Sequence, residues 1–134
     1  MSDGGSQGNF GCEHCWPSAA GAAWEARGTH TRVAELIDES HFHVMILVCP
    51  HCAQPFISVF TEMIDWKDGD DPQDWSLLPI TRAEATDLTQ QGDWLTEPLL
   101  NQLGPGRRCL RCAHSKGVEE HVFWSTGISV GPHD

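Results

Sequence analysis

The chain has 134 residues, enough for one ordinary domain with a core of its own. Its 8 Lys and Arg stand against 19 Asp and Glu, a formal net charge of -11, which repels phosphate backbones and favours basic partners. The longest apolar run, from Val44 to Cys49, is far too short to span a bilayer.

Residues 1–9 are rich in Gly and Ser and are expected to be a disordered tail before a single domain at 10–134. They show neither a basic n-region nor an apolar h-region. The expectation is therefore a reducing, cytoplasmic compartment, where paired thiols serve as metal ligands or redox centres more often than as structural disulfides.

After Cys12 and Cys15, the small-residue stretch from Ser18 to Gly28 reads as a short helix or a loop, with Trp16 and Trp24 as packing anchors. Arg32 to Ile37 fits a strand or a helical turn equally well. His41 to Val48 is more strongly strand-like and runs into Cys49-Pro50-His51-Cys52; a second strand-like run, Phe56 to Ile64, follows. Strand, tight cysteine turn and strand make a hairpin with thiols at its tip.

Asp65 to Trp75 reads as an acidic loop. It lacks the ligand register and distal glutamate of an EF-hand, so solvation rather than calcium binding is expected, with Trp66 and Trp75 as contact residues or core anchors. Thr81 and Glu84 stand in capping-box relation and open a helix that turns Ala85 and Leu88 inward and ends at Gly92. A second short helix is expected over Glu97 to Leu103, with Thr96 as N-cap, Pro98 in the first turn and Gly104 as its stop. Candidate strands close the chain at Glu120 to Ser125 and Ile128 to Val130.

All six cysteines fall in C-x-x-C pairs: Cys12/Cys15, Cys49/Cys52 and Cys109/Cys112. Two intervening residues let one tight turn aim both sulfurs at a point about 2.3 Å away, so one pair supplies half of a tetrahedral site. The expected ligands are Cys12, Cys15, Cys49 and Cys52. The alternative joins Cys49 and Cys52 to Cys109 and Cys112; a second site of Cys109 and Cys112 with His114 and His121 competes with the reading of that pair as a packed or exposed dithiol without metal.

The segment Val48-Cys49-Pro50-His51-Cys52-Ala53-Gln54-Pro55-Phe56 resembles the zinc-ribbon and zinc-knuckle superfamily, and Cys12-Glu13-His14-Cys15 matches it more loosely. Ala53 stands where that family usually has glycine. The resemblance implies a structural zinc ion and a binding role, without naming a partner.

Two other classes compete. Cys49-Pro50-His51-Cys52 is also the motif of DsbA-like thiol oxidoreductases, but there a helix starts at the motif, whereas Pro55 and the β-branched run after it here read as a strand. Arg107, Arg108, Arg111 and Lys116 surround the third cysteine pair and would suit a phosphate-contacting zinc ribbon. Local neutralisation of nearby negative charge is the preferred reading in so acidic a chain. His41 and His43, two apart on a strand, are expected to be partly exposed rather than catalytic. No His-x-Glu precedes the cysteines and Pro50 follows Cys49, which excludes a zinc-deaminase pattern.

The sequence thus predicts an α+β domain: a small, mainly antiparallel sheet with zinc knuckles and two short inserted helices. Its expected role is a non-enzymatic, zinc-stabilised module of adaptor, inhibitor or immunity type that binds a basic protein.

Overall fold

The computed structural model describes residues 10–63, 72–92, 95–115, 119–128 and 130. Six strands form one antiparallel sheet in simple sequence order. They are β1 (Thr31–Glu39), β2 (Phe42–Val48), β3 (Pro55–Glu62), β4 (Gln73–Pro79), β5 (Arg108–His114) and β6 (His121–Thr126). Three helices accompany them: α1 (Ala20–Ala26), α2 (Arg82–Gln91) and α3 (Glu97–Asn101), with a 3-10 turn at Arg27–Thr29 after α1. The α+β class and the antiparallel sheet read from the sequence are those observed.

Alternation along the strands builds a core on each face, because successive side chains point to opposite sides of a pleated sheet. Val44, Ile46, Ile57, Val59 and Leu78 face one way and pack with Leu88 of α2 and Leu100 of α3. Leu47, Phe56, Leu77 and Leu110 face the other way and pack with Cys15, Trp16 and Ala23 of the N-terminal segment. The sheet is therefore the middle of three layers, and the N-terminal segment supplies one outer layer.

Both inserted helices begin as expected. The Thr81 hydroxyl accepts the Glu84 N–H at 3.0 Å and the Glu84 carboxylate accepts the Thr81 N–H at 2.8 Å, completing the capping box. Leu88 is buried and Ala85 packs beside it. The second helix is shorter than expected and ends at Asn101.

Other expectations change. Arg32–Ile37 lies within strand β1, and Ser18–Gly28 contains helix α1. Asp74 and Trp75 belong to β4, a strand not foreseen from the acidic composition around them; residues 65–71, including Trp66, lie outside the described residues, as do the tail 1–9, Ile64, Lys116 and Ser129. Neither Ile128 nor Val130 is in a strand. His41 lies in the turn before β2 and pairs with Glu62 at 3.1 Å, while His43 pairs with Asp38 at 3.3 Å, so the two imidazoles serve different carboxylates. No helix among the described residues is long and apolar enough to cross a membrane.

Candidate metal centre

Two knuckles meet between the N-terminal segment and the β2–β3 hairpin. Each is a tight turn closed by the same bond: the Trp16 N–H donates to the Cys12 carbonyl at 2.8 Å, and the Ala53 N–H donates to the Cys49 carbonyl at 2.9 Å. Left-handed residues flank both turns, Gly11 before the first (φ 72°) and Ala53 after the second (φ 65°). A Cβ on Gly11 would lie 2.7 Å from Trp16 Cβ and 3.0 Å from Cys15 Sγ, so this position requires glycine twice over.

The Sγ atoms of Cys12, Cys15, Cys49 and Cys52 all lie within 4.8 Å of one another. Cys12–Cys15 and Cys15–Cys52 are each 3.7 Å apart, and Cys12–Cys49 is 4.0 Å. A tetrahedron with ligand bonds of about 2.3 Å has edges of about 3.8 Å, so the sulfurs stand where four thiolates around one zinc ion would stand. Backbone N–H groups point at two of them: Cys12 N–H to Cys15 Sγ at 3.2 Å and His51 N–H to Cys49 Sγ at 3.4 Å. Such bonds spread thiolate charge and orient the ligands.

The electrostatics suit a cation. Burial pushes Cys12 up, but the backbone of Cys15 and His14 and the neighbouring thiols pull it down further, to about 7. Cys15 and Cys52 are raised, first by burial and then by sharing one small volume with other sulfurs. Four negative sulfurs this close repel each other unless a positive ion sits among them; a coordinated thiol is deprotonated outright.

Gln54, which sequence reasoning did not single out, joins the two knuckles. Its side-chain oxygen accepts the Gly11 N–H at 3.0 Å, while its amide donates to the carbonyls of Pro55 at 2.7 Å and Ile80 at 2.8 Å. His14 and His51, one from each knuckle, lie with ring centroids 4.2 Å apart. His30 stacks on Phe56 at 5.1 Å beneath the same layer.

Among the described residues, Cys109, Cys112 and His114 are not brought together into a metal-binding group. They lie on the regular strand β5 rather than in a turn. An odd separation on a strand sends the two thiols to opposite faces. Cys109 accordingly joins the α2 and α3 side, whereas Leu110, on the same face as Cys112, packs with the knuckle layer. Both thiols are buried and pushed up to about 12 by burial, aided at Cys112 by Glu120, so at neutral pH they are uncharged core side chains. Among the described residues, Cys12, Cys15, Cys49 and Cys52 form the one group arranged to hold a metal.

The competing readings meet specific obstacles. The chain after Cys52 enters strand β3, so no helix N-terminus activates Cys49. The arginines are engaged within the molecule. Arg107 forks onto Glu84 at 2.6 and 3.1 Å, and Arg111 reaches Asp74 at 2.7 Å. Arg108 donates to the Trp16 carbonyl at 3.2 Å and lies 3.8 Å over the Trp124 ring. Their partners are carboxylates, backbone carbonyls and aromatic faces, not the clustered thiols.

Compared with protein-family models, curated proteins and solved structures, the chain matches none of them.

Proposed function

We propose that this protein is a non-enzymatic interaction module whose N-terminal layer is locked to the sheet by one structural zinc ion on Cys12, Cys15, Cys49 and Cys52. The observation that carries this reading is the cluster of four sulfurs, all within 4.8 Å of one another and three of their pairs at 3.7–4.0 Å, drawn from two separate knuckles. When bound, zinc supplies a cross-link rather than a reaction, since four protein ligands leave no coordination position for water or substrate.

The rest follows from the chain's own residues. The knuckles hold Trp16 and α1 against Leu47, Phe56, Leu77 and Leu110, burying a face that strands alone would leave wet. The partner is a basic protein, drawn to a chain of net charge -11; a zinc ion on four thiolates adds about two further negative charges. An adaptor or an inhibitor of a basic enzyme fits this charge.

Two experiments test the two halves. Chelation at neutral pH should release the N-terminal layer, read as new proteolytic cleavage between residues 10 and 30, with the sheet retained. A basic protein recovered with the full chain should bind saturably and lose affinity as salt rises from about 50 to about 300 mM. Salt-independent binding overturns the electrostatic half while leaving the metal site intact.

A further inference from the structure

The two edges of the sheet are built differently. On β1, Arg32, Glu35, Asp38 and Glu39 line the strand, and its register against β2 shifts at Arg32/Ala34 and again at Glu35/Ile37. Charge and bulges are how natural sheets keep an edge from pairing. β6 reads His-Val-Phe-Trp-Ser-Thr, carries no Lys, Arg, Asp or Glu, and keeps unbroken register with β5 from His121 to Thr126.

The ladder shows which backbone groups of β6 face outward. The Gly127 N–H donates to the Arg107 carbonyl at 2.8 Å, one step beyond the Arg108↔Thr126 pair. Antiparallel pairs alternate between bonded and non-bonded. Phe123 and Ser125 therefore bond to β5, while Val122, Trp124 and Thr126 turn their N–H and C=O groups away from it. Among the described residues nothing pairs with that side.

We propose that β6 pairs with β6 of a second copy of this chain, joining the two sheets into one through a two-fold axis at Trp124. Opposing Trp124 with Trp124 and Val122 with Thr126 uses every outward group on both strands. The axis brings the two Trp124 rings together as a cross-strand aromatic pair. Each ring is already held by its own Trp16, at 4.9 Å, and by Arg108. In this register Glu120 falls opposite Ile128 rather than another glutamate.

Charge selects the second copy over a basic peptide. Around β6, Arg27, Arg107, Arg108 and Arg111 balance Asp74, Glu84, Glu119 and Glu120, so this edge is close to neutral in a molecule of net charge -11. Two such chains repel little there, and a basic ligand gains little. The inference does not depend on the zinc reading.

Sedimentation velocity of the full chain over about 1 to 100 µM tests it. The expected result is a concentration-dependent species of twice the monomer mass, whose population rises with salt as repulsion is screened. Val122→Pro with Thr126→Pro removes outward donors alone, which a sheet edge tolerates. That variant should be monomeric with wild-type circular dichroism and metal content. A wild-type monomer throughout, or a dimer that survives the variant, overturns the proposal. Should the variant fail to fold, amide exchange at Val122 and Trp124 in the wild type decides: protection that grows with concentration supports pairing, and constant protection overturns it.

Discussion

Gln54 accepts the backbone N–H of Gly11, 43 positions away in the sequence, at 3.0 Å and so joins the two knuckles. The same side chain holds the carbonyls of Pro55 and Ile80, so one residue ties the N-terminal layer to β3 and to the end of β4. Gln54→Ala removes three hydrogen bonds and should cost about 2–3 kcal/mol in urea denaturation. It should also weaken zinc retention against a chelator. Gln54→Glu keeps the acceptor for Gly11 but sets a carboxylate oxygen against the two carbonyls, and should cost at least as much as Gln54→Ala.

Ala53 adopts φ 65°, a left-handed conformation that costs a residue with a Cβ roughly 1–2 kcal/mol. Ala53→Gly should therefore stabilise the protein by about 1 kcal/mol. Gly11→Ala meets the same strain and, in addition, Trp16 Cβ at 2.7 Å. It should be clearly destabilising and should lower metal occupancy. Thermal melts of the two variants, run beside the wild type, should move in opposite directions.

The two kinds of cysteine pair predict distinct thiol chemistry. In the folded, metal-loaded protein Cys109 and Cys112 should resist alkylation, since both are buried and uncharged at neutral pH. After chelation Cys12, half-exposed and held down to about 7, should be modified first, ahead of Cys52, whose thiol burial holds up. Mass mapping of the labelled peptides checks the order, and early labelling of Cys112 would contradict the placement of β5.

Glu84 links the α2 capping box to Arg107 and sets an acid limb of stability. Burial opposes its ionisation, but the Arg107 fork and the Thr81 hydrogen bonds outweigh that and hold its carboxyl below the usual range. A depressed folded-state value stabilises fully above the ordinary glutamate pKa, and this contribution is lost as pH falls through the folded-state value. Glu84→Gln should flatten the fall in stability between about pH 5 and 3. The comparison is between the two proteins, because acid release of metal is common to both.

The hairpin, both inserted helices and the four clustered cysteines were legible because each has a local signature: β-branched runs, a capping box, a proline in a first turn, a two-residue thiol spacing. β4 was hidden by its flank, since Asp74 is half of the pair with Arg111 and not part of a solvated loop. β1 was ambiguous because its exposed edge blurs the period-2 pattern, with Thr31, Arg32 and Val33 exposed in succession. Spacing alone could not place the third cysteine pair. C-x-x-C makes a knuckle only in a turn, and neighbours Leu110 and Arg111 pair in register with Leu77 and Ser76 of β4. Gln54 could not be found at all from the sequence, because its three partners are brought together only by the fold.

The most direct test of the central claim is native mass spectrometry of the full chain purified without chelator, with the metal identified by elemental analysis. The account predicts one zinc ion per chain, kept in the Cys109→Ala/Cys112→Ala variant and lost in Cys12→Ser/Cys49→Ser. A wild-type chain without metal, or zinc that disappears with Cys109 and Cys112 while Cys12 and Cys49 remain, would contradict it.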